Sequence, residues 1–285
     1  GCSNTSEISE VMILTSPTIE NQPLGDSLCL NGVTNDLSVT YINGSGTATY
    51  QWYENSVSNN TTGMEITGEI SNTFSPPTDS IGVKYYYVII TFSSGGCNQI
   101  PSNPAKIEVV EGPQITTQPI TSQSICIGGN SQTLTVISTG GTGSVTYQWY
   151  SNTINSNSGG NPISGATADS YTPTAFTTTG NYYYYVEIQA TGNGCSDIAS
   201  DPAEIIVVDD PAFDSQPIAF QELCQNATVQ DLEVTVSGGL GNVSFQWYSN
   251  NISSNSGGIP IAGAANSTFT PPTNSIGTIY YYCVI

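Results

Sequence analysis

Gln51-Trp52-Tyr53 returns as Gln148-Trp149-Tyr150 and again as Gln246-Trp247-Tyr248, a period of 97 and then 98 residues. Other landmarks keep step with it. Gln22-Pro23, Gln118-Pro119 and Gln216-Pro217 stand ahead of Cys29, Cys126 and Cys224; tyrosine clusters follow at 85 to 87, 182 to 185 and 280 to 282; Gly96-Cys97 and Gly194-Cys195 close the first two units. Self-similarity at a fixed period of this kind marks a repeat array. The units read as 15–110, 111–208 and 209–285, the third lacking its last strand. Gly1-Cys2 aligns with Gly96-Cys97 and Gly194-Cys195, so residues 1–14 read as the last strand of a preceding repeat and the whole chain as a segment of a longer array.

Within a unit the pattern is strand throughout. Short runs such as Leu134-Thr135-Val136-Ile137 and Ile205-Ile206-Val207-Val208 are rich in β-branched residues and are separated by Gly, Asn, Ser and Pro clusters. No segment sustains a helical period. About seven strands in a unit of this length, with a Trp on the third and a Tyr-rich strand before the last hairpin, predict an all-β fold of tandem immunoglobulin-like β-sandwich domains forming an extended filament.

Charge narrows the partners. Twenty-two acidic residues face two cations, Lys84 and Lys106, with no His, for a net charge of -20. Two lysines cannot neutralise a phosphate backbone, so nucleic acid is excluded as a partner, and an anionic membrane surface is disfavoured. No apolar run approaches the roughly 18 residues of a membrane span, so this segment is not expected to insert into one. The lack of His removes imidazole bases, histidine metal ligands and Ser-His-Asp or Cys-His arrangements. Paired carboxylates remain, but no Asp or Glu recurs at a matching buried position in all three units, and glycosidic chemistry needs two at a fixed separation. No catalytic residue and no required cofactor are expected.

The seven cysteines follow the period. Cys29 with Cys97 and Cys126 with Cys195 are 68 and 69 residues apart at matching positions, which predicts two disulfides inside repeats and an oxidising, extracellular setting. Each would close a loop worth roughly 4 kcal/mol in the chain-entropy model. Each would also tie the first strand region to the turn before the last strand, either as ordinary stabilisation or as a device that lets tension bypass the core. Cys2 and Cys224 are expected to be unpaired within this stretch. Cys283 stands where the first two units have Val88 and Val186, and reads as a buried free thiol or as the partner of Cys224.

Strand alternation points Trp52, Tyr86 and Val88 into the core, and Tyr53, Tyr85 and Tyr87 outward. The same holds for Tyr150, Tyr183 and Tyr185, and for Tyr248, Tyr280 and Tyr282. Such a ladder could stack on sugar rings or on another chain, or could be cross-strand pairs that stiffen the sheet. Acidic residues gather near the joints: Glu111 at one, Asp209, Asp210 and Asp214 at the next, with Asp197 and Asp201 in the preceding hairpin. Asp209 and Asp210 are the calcium candidates, against the alternative of solvated carboxylates, since no calcium-loop spacing is present. The loops Asn152 to Asn161 and Asn250 to Gly258 read as recognition loops or as plain hairpin connections.

The Gln-Trp-Tyr strand, Gly-Gly-Ile-Pro-Ile-Ala-Gly-Ala at 257 to 264, Ser-Thr-Phe-Thr-Pro-Pro-Thr at 267 to 273 and Gly-Cys-Ser-Asp at 194 to 197 resemble the immunoglobulin-like repeats of Bacteroidota surface proteins, best known from giant gliding-motility adhesins of the SprB type. That resemblance implies type IX secretion and display as a cell-surface filament. Its partners would be external surfaces or polysaccharide, with motility and secretion machinery engaged through other parts of the chain. It also implies O-glycosylation at Asp-Ser/Thr-apolar triplets, here Ser27 in Asp26-Ser27-Leu28 and Ser80 in Asp79-Ser80-Ile81. The expected role is a structural and adhesive stalk, with a polysaccharide-binding array or the spacer of a secreted enzyme as alternatives.

Overall fold

The chain is described by a computed structural model covering every residue except Gly95, Cys97 and Asn98. The first repeat comprises β1 (Thr18–Asn21), β2 (Asp26–Cys29), β3 (Leu37–Ser38), β4 (Thr40–Ile42), β5 (Ala48–Asn55), β6 (Met64–Glu65), β7 (Thr73–Phe74), β8 (Gly82–Phe92), β9 (Gln99–Pro101) and β10 (Ala105–Val110). The second repeats the series as β11 (Gln114–Thr117), β12 (Ser122–Cys126), β13 (Leu134–Thr135), β14 (Ile137–Thr139), β15 (Val145–Asn152), β16 (Asn161–Pro162), β17 (Ser170–Tyr171), β18 (Gly180–Ala190), β19 (Ile198–Ala199) and β20 (Ala203–Val208). The third has β21 (Ala212–Ser215), β22 (Leu232–Glu233), β23 (Thr235–Ser237), β24 (Gln246–Asn250), β25 (Ile259–Pro260), β26 (Thr268–Phe269) and β27 (Tyr280–Val284). Among the described residues there is no helix, so the all-β expectation holds.

Proline explains how the first strand of a repeat serves two sheets. β1 pairs antiparallel with β4, and after buried Pro23 the chain resumes as β2, parallel to β10. Lacking an N–H, Pro cannot carry a ladder through the switch. The main sheet then runs β2-β10-β8-β5-β6, with β9 also on β8, and β12-β20-β18-β15-β16 repeats the order with β19 on β18. β3 with β7 and β13 with β17 complete the opposite layer. This two-layer arrangement of antiparallel strands, with one parallel first-to-last pairing, is an immunoglobulin-like sandwich.

The core follows alternation. Tyr86, Val88, Ile90 and Phe92 of β8 face Trp52, Leu28, Leu37 and Val39, with Ile107 and Val109 of β10 closing the layer. Each Trp is fully buried, and its indole N–H donates to a backbone carbonyl: Trp52 to Ser71 at 2.9 Å, Trp149 to Ala168 at 3.0 Å and Trp247 to Asn266 at 2.9 Å. A buried indole without a partner would be costly, so this bond is part of the core.

Residues 1–14 carry no strand and are exposed. Residues 219–224 of the third repeat, matching β2 and β12, form no strand; in the other repeats that strand leans on β10 or β20. The chain divides into two compact units: 1–117 with 136–148 and 186–199, and 118–135 with 149–185 and 200–285.

Candidate functional site

The first unit contains a joint that sequence reasoning placed elsewhere. β2 ends at Cys29, and the chain turns through Asn31 in the left-handed region (φ 64°), with the Gly32 N–H donating to the Cys29 carbonyl at 2.9 Å. Against this turn sits the hairpin tip that follows β18. The Gly192 N–H donates to the Thr142 carbonyl at 2.8 Å, and the Cys195 N–H donates back to Gly192 at 3.1 Å. The Asn193 carbonyl accepts from the Cys29 N–H at 2.8 Å, forming a single parallel bridge between Leu28 and Asn193. The Asn193 side-chain amide donates to the Val33 carbonyl. Cys29 and Cys195 are joined by a disulfide with Cα atoms 5.0 Å apart.

This overturns the expected pairing. Cys29 bonds Cys195 of the second repeat instead of Cys97, and Cys126, expected to hold Cys195, is a half-buried free thiol; Cys97 lies outside the described residues. The physical reason is that a period identifies equivalent positions but not which copy supplies the partner. The observed separation of 166 residues is one repeat longer than the expected one. Only backbones that meet can decide, and here they meet at Gly32 and Gly194 with no side chain on either. A Cβ added at Gly32 would lie 2.8 Å from the Asn193 oxygen and 3.0 Å from the Gly194 Cα, so both glycines are required by close approach. Cys2, Cys224 and Cys283 carry free thiols. Cys283 is partly buried beside the Trp247 cluster, and burial raises its pKa against the opposing effect of a backbone hydrogen bond from Gln246.

The tyrosines keep the predicted alternation but not the predicted exposure. Tyr87 and Tyr185 face away from the Trp layer, yet each is buried at 1 % exposure. Each stacks on its cross-strand neighbour: Tyr53 on Tyr87 at 5.2 Å, Tyr150 on Tyr185 at 5.0 Å and Tyr248 on Tyr282 at 5.0 Å between ring centroids. The loop after the Trp strand folds over the outer ring. Its Gly63, Gly160 or Gly258 N–H donates to the phenolic oxygen of Tyr87, Tyr185 or Tyr282 at 3.0 to 3.1 Å. The missed signal was the glycine: a Cβ at Gly160 would stand 2.9 Å from the Tyr185 ring. Half-buried Tyr53, Tyr85, Tyr150, Tyr183, Tyr248 and Tyr282 and exposed Tyr280 remain on the outer face, Tyr183 donating to Glu204 at 2.9 Å.

The loop itself is a hairpin connection organised by one asparagine. Asn152 donates to the Ser156 and Ser158 carbonyls, and Asn250 does the same to Ser254 and Ser256. Of the acidic residues, Asp209 and Asp210 are exposed, Asp214 accepts from Ser237 at 2.6 Å and Asp197 accepts from Gln189 at 3.2 Å. Among the described residues no group of three or more Cys, Asp or Glu side chains is placed to hold a metal ion. Ser80 is exposed, whereas Ser27 is half-buried with its hydroxyl 3.2 Å from that of Thr142 across the joint. Among the described residues no helix is long and apolar enough to cross a membrane.

The family model described as a domain of unknown function, DUF8696, matches twice, over residues 21–111 and 116–209. The chain belongs to this family. Both matches take in the full set of Gln-Pro, Cys, Gln-Trp-Tyr and Tyr landmarks of a repeat. Among solved structures, the chain is similar to the I-band fragment I67-I69 of titin, at 14 % identity over 96 % of this chain and 93 % of that one, with a TM-score of 0.47. It is also similar to the three N-terminal domains of the bacteriophage RB49 highly immunogenic outer capsid protein, at 14 % identity over 95 % and 85 % of the two chains and a TM-score of 0.43. No curated protein sequence matches.

Proposed function

We infer that this chain is a structural and adhesive stalk segment, displayed outside the cell, in which immunoglobulin-like beads are held in series by covalent joints. The observation that carries this reading is the Cys29–Cys195 bond, which links the first strand of one repeat to the closing hairpin of the next. Tension entering at β1 would pass through the bond to Cys195 and leave the intervening chain unloaded. A closed loop of this size is worth about 5 kcal/mol in the chain-entropy model, more than the intra-repeat loops expected from spacing alone. Extracellular display accords with a disulfide, which persists where thiols are oxidised. The likeness of the Gln-Trp-Tyr strand and its following motifs to Bacteroidota surface repeats supports the finer reading: a giant filament, exported by type IX secretion, that serves gliding motility and attachment to surfaces or polysaccharide.

Single-molecule stretching with and without reductant tests the stalk. Reduction should free the 166-residue separation now shielded by the bond, lengthening the contour by about 550 Å at roughly 3.3 Å per residue. An unchanged contour length would remove the mechanical reading. A second reading, direct polysaccharide binding, draws on the half-buried outer rings Tyr53, Tyr150 and Tyr248, which recur in every repeat. It predicts glycan-array binding that is lost when all three are changed to Ala.

A further inference from the structure

The acceptor turn that holds Cys195 is present a second time, with its cysteine free. In the first repeat it consists of Cys29 at the end of β2, a left-handed residue at Asn31 and Gly32, whose N–H returns to Cys29. In the second, Cys126 ends β12, Gly128 is left-handed (φ 74°), and the Gly129 N–H returns to the Cys126 carbonyl at 3.0 Å. The turns are anchored alike: the Asn31 N–H donates to Thr78 at 2.8 Å and the Gly128 N–H to Phe176 at 2.9 Å. Both also sit beside the parallel first-to-last strand pair, with the Leu30 and Ile127 N–H groups donating to Val110 and Val208. The hairpin that fills the first turn carries Asn193-Gly194-Cys195; it docks through its backbone and a glycine, together with the Asn193 side-chain amide on the Val33 carbonyl, so the partner hairpin is one that carries Asn-Gly-Cys.

We propose that the Cys29–Cys195 bond is a recurring link, in which the hairpin cysteine of one repeat bonds the first-strand cysteine of the repeat before it, and that Cys126 with its turn is the built acceptor for the Gly-Cys hairpin of a third repeat that carries one. Cys126 is half-buried at the matching place, and Gly129 keeps the space that Gly32 gives to Asn193 and Gly194. The third turn differs. Ala227 stands where the others have Gly32 and Gly129, its N–H still returning to Cys224 at 3.0 Å, so a hairpin would meet a methyl group there. The second turn is therefore a fitted acceptor and the third a poorer one. Formation is a two-electron oxidation. The two thiols lose two protons and two electrons to a small disulfide oxidant such as oxidised glutathione, which leaves as two thiols.

The recurring link is independent of what the array adheres to. It is tested on the chain as it stands and on the same chain followed by a second copy of residues 189–208, which supplies the third repeat with a closing hairpin in register. Both are equilibrated in glutathione buffer, alkylated, digested without reductant and mapped by mass spectrometry. The unextended chain should give a peptide pair joining Cys29 to Cys195, with Cys126 alkylated. The extended chain should retain that pair and gain one joining Cys126 to the added cysteine, with loss of Cys126 alkylation. Gly129→Ala should reduce the new pair and leave the first intact. Hydrogen-exchange protection of the Trp247 backbone N–H, which donates to the Ala264 carbonyl at 3.0 Å, reports that the third repeat has folded in the extended chain. With that N–H protected, an added cysteine bonded to Cys224, or Cys126 still alkylated, overturns the recurring link while leaving the stalk reading in place. Finding Cys29 bonded to Cys97 would overturn both.

Discussion

Neighbouring tyrosines on β8 have opposite relations to their hydroxyl groups. Tyr86 lies in the core at 1 % exposure, and its hydroxyl has no hydrogen-bond partner. Tyr87, equally buried on the other face, accepts from Gly63. Removing an unsatisfied buried hydroxyl is nearly neutral or favourable, whereas removing a satisfied one strands its partner. Tyr86→Phe should therefore leave denaturant stability unchanged or raised, while Tyr87→Phe should lower it by about 1–2 kcal/mol. Burial also pushes the Tyr86 phenol up to about 12, with the negative charges of Glu54 and Asp79 adding to the shift, and does the same for Tyr184. Because the folded state holds these protons more tightly than the unfolded state, whose tyrosines titrate near pH 10, the stability they contribute is complete below about pH 10 and is lost as the pH rises towards 12. Unfolding followed from pH 9 to 12 should show this decline, and Tyr86→Phe should lessen it.

At the scale of elements, the strand that returns along β8 in the first repeat and along β18 in the second is broken into two short segments, and in the first repeat one serine holds the break. Ser102 is fully buried between β9 and β10; its N–H donates to the Val88 carbonyl at 2.9 Å, and its hydroxyl accepts from the Val88 N–H at 3.0 Å. The following residue is caught by the glutamine of the Gln-Pro landmark: Gln22 accepts from the Asn103 N–H at 2.8 Å and Gln118 from the Asp201 N–H at 2.9 Å. The landmark thus does two things, the proline switching the first strand between sheets and the glutamine pinning the last hairpin. Gln118→Ala should cost about 1 kcal/mol, and hydrogen exchange should quicken first at Asp201, where the lost bond was.

The whole molecule is governed by one sign of charge. Its two lysines are both engaged, Lys84 with Glu54 and Lys106 with Glu108 at 2.8 Å, which leaves most of the 22 carboxylates without a lysine partner. Self-repulsion of this kind opposes the compact state and is relieved by screening. The Tm should rise as salt goes from about 0.01 to 0.15 M, over which the screening length shrinks from about 30 to 8 Å; a flat or falling profile would show that the two ion pairs outweigh the repulsion. Repetition made much of this molecule legible from sequence. Three copies of Gln-Trp-Tyr at one period, with alternating apolar runs, determined the sandwich, the buried Trp residues and the two faces of β8, because the alternation of side chains between faces is a local property of a strand. Tertiary structure alone decided which rings a loop would cover and which cysteine Cys29 would meet. Gly63 and Gly194 are unremarkable turn residues until a ring or another backbone is brought against them, and equivalent positions one period apart look identical along the chain. Only the path of the backbone through space separates Cys97 from Cys195 as the partner.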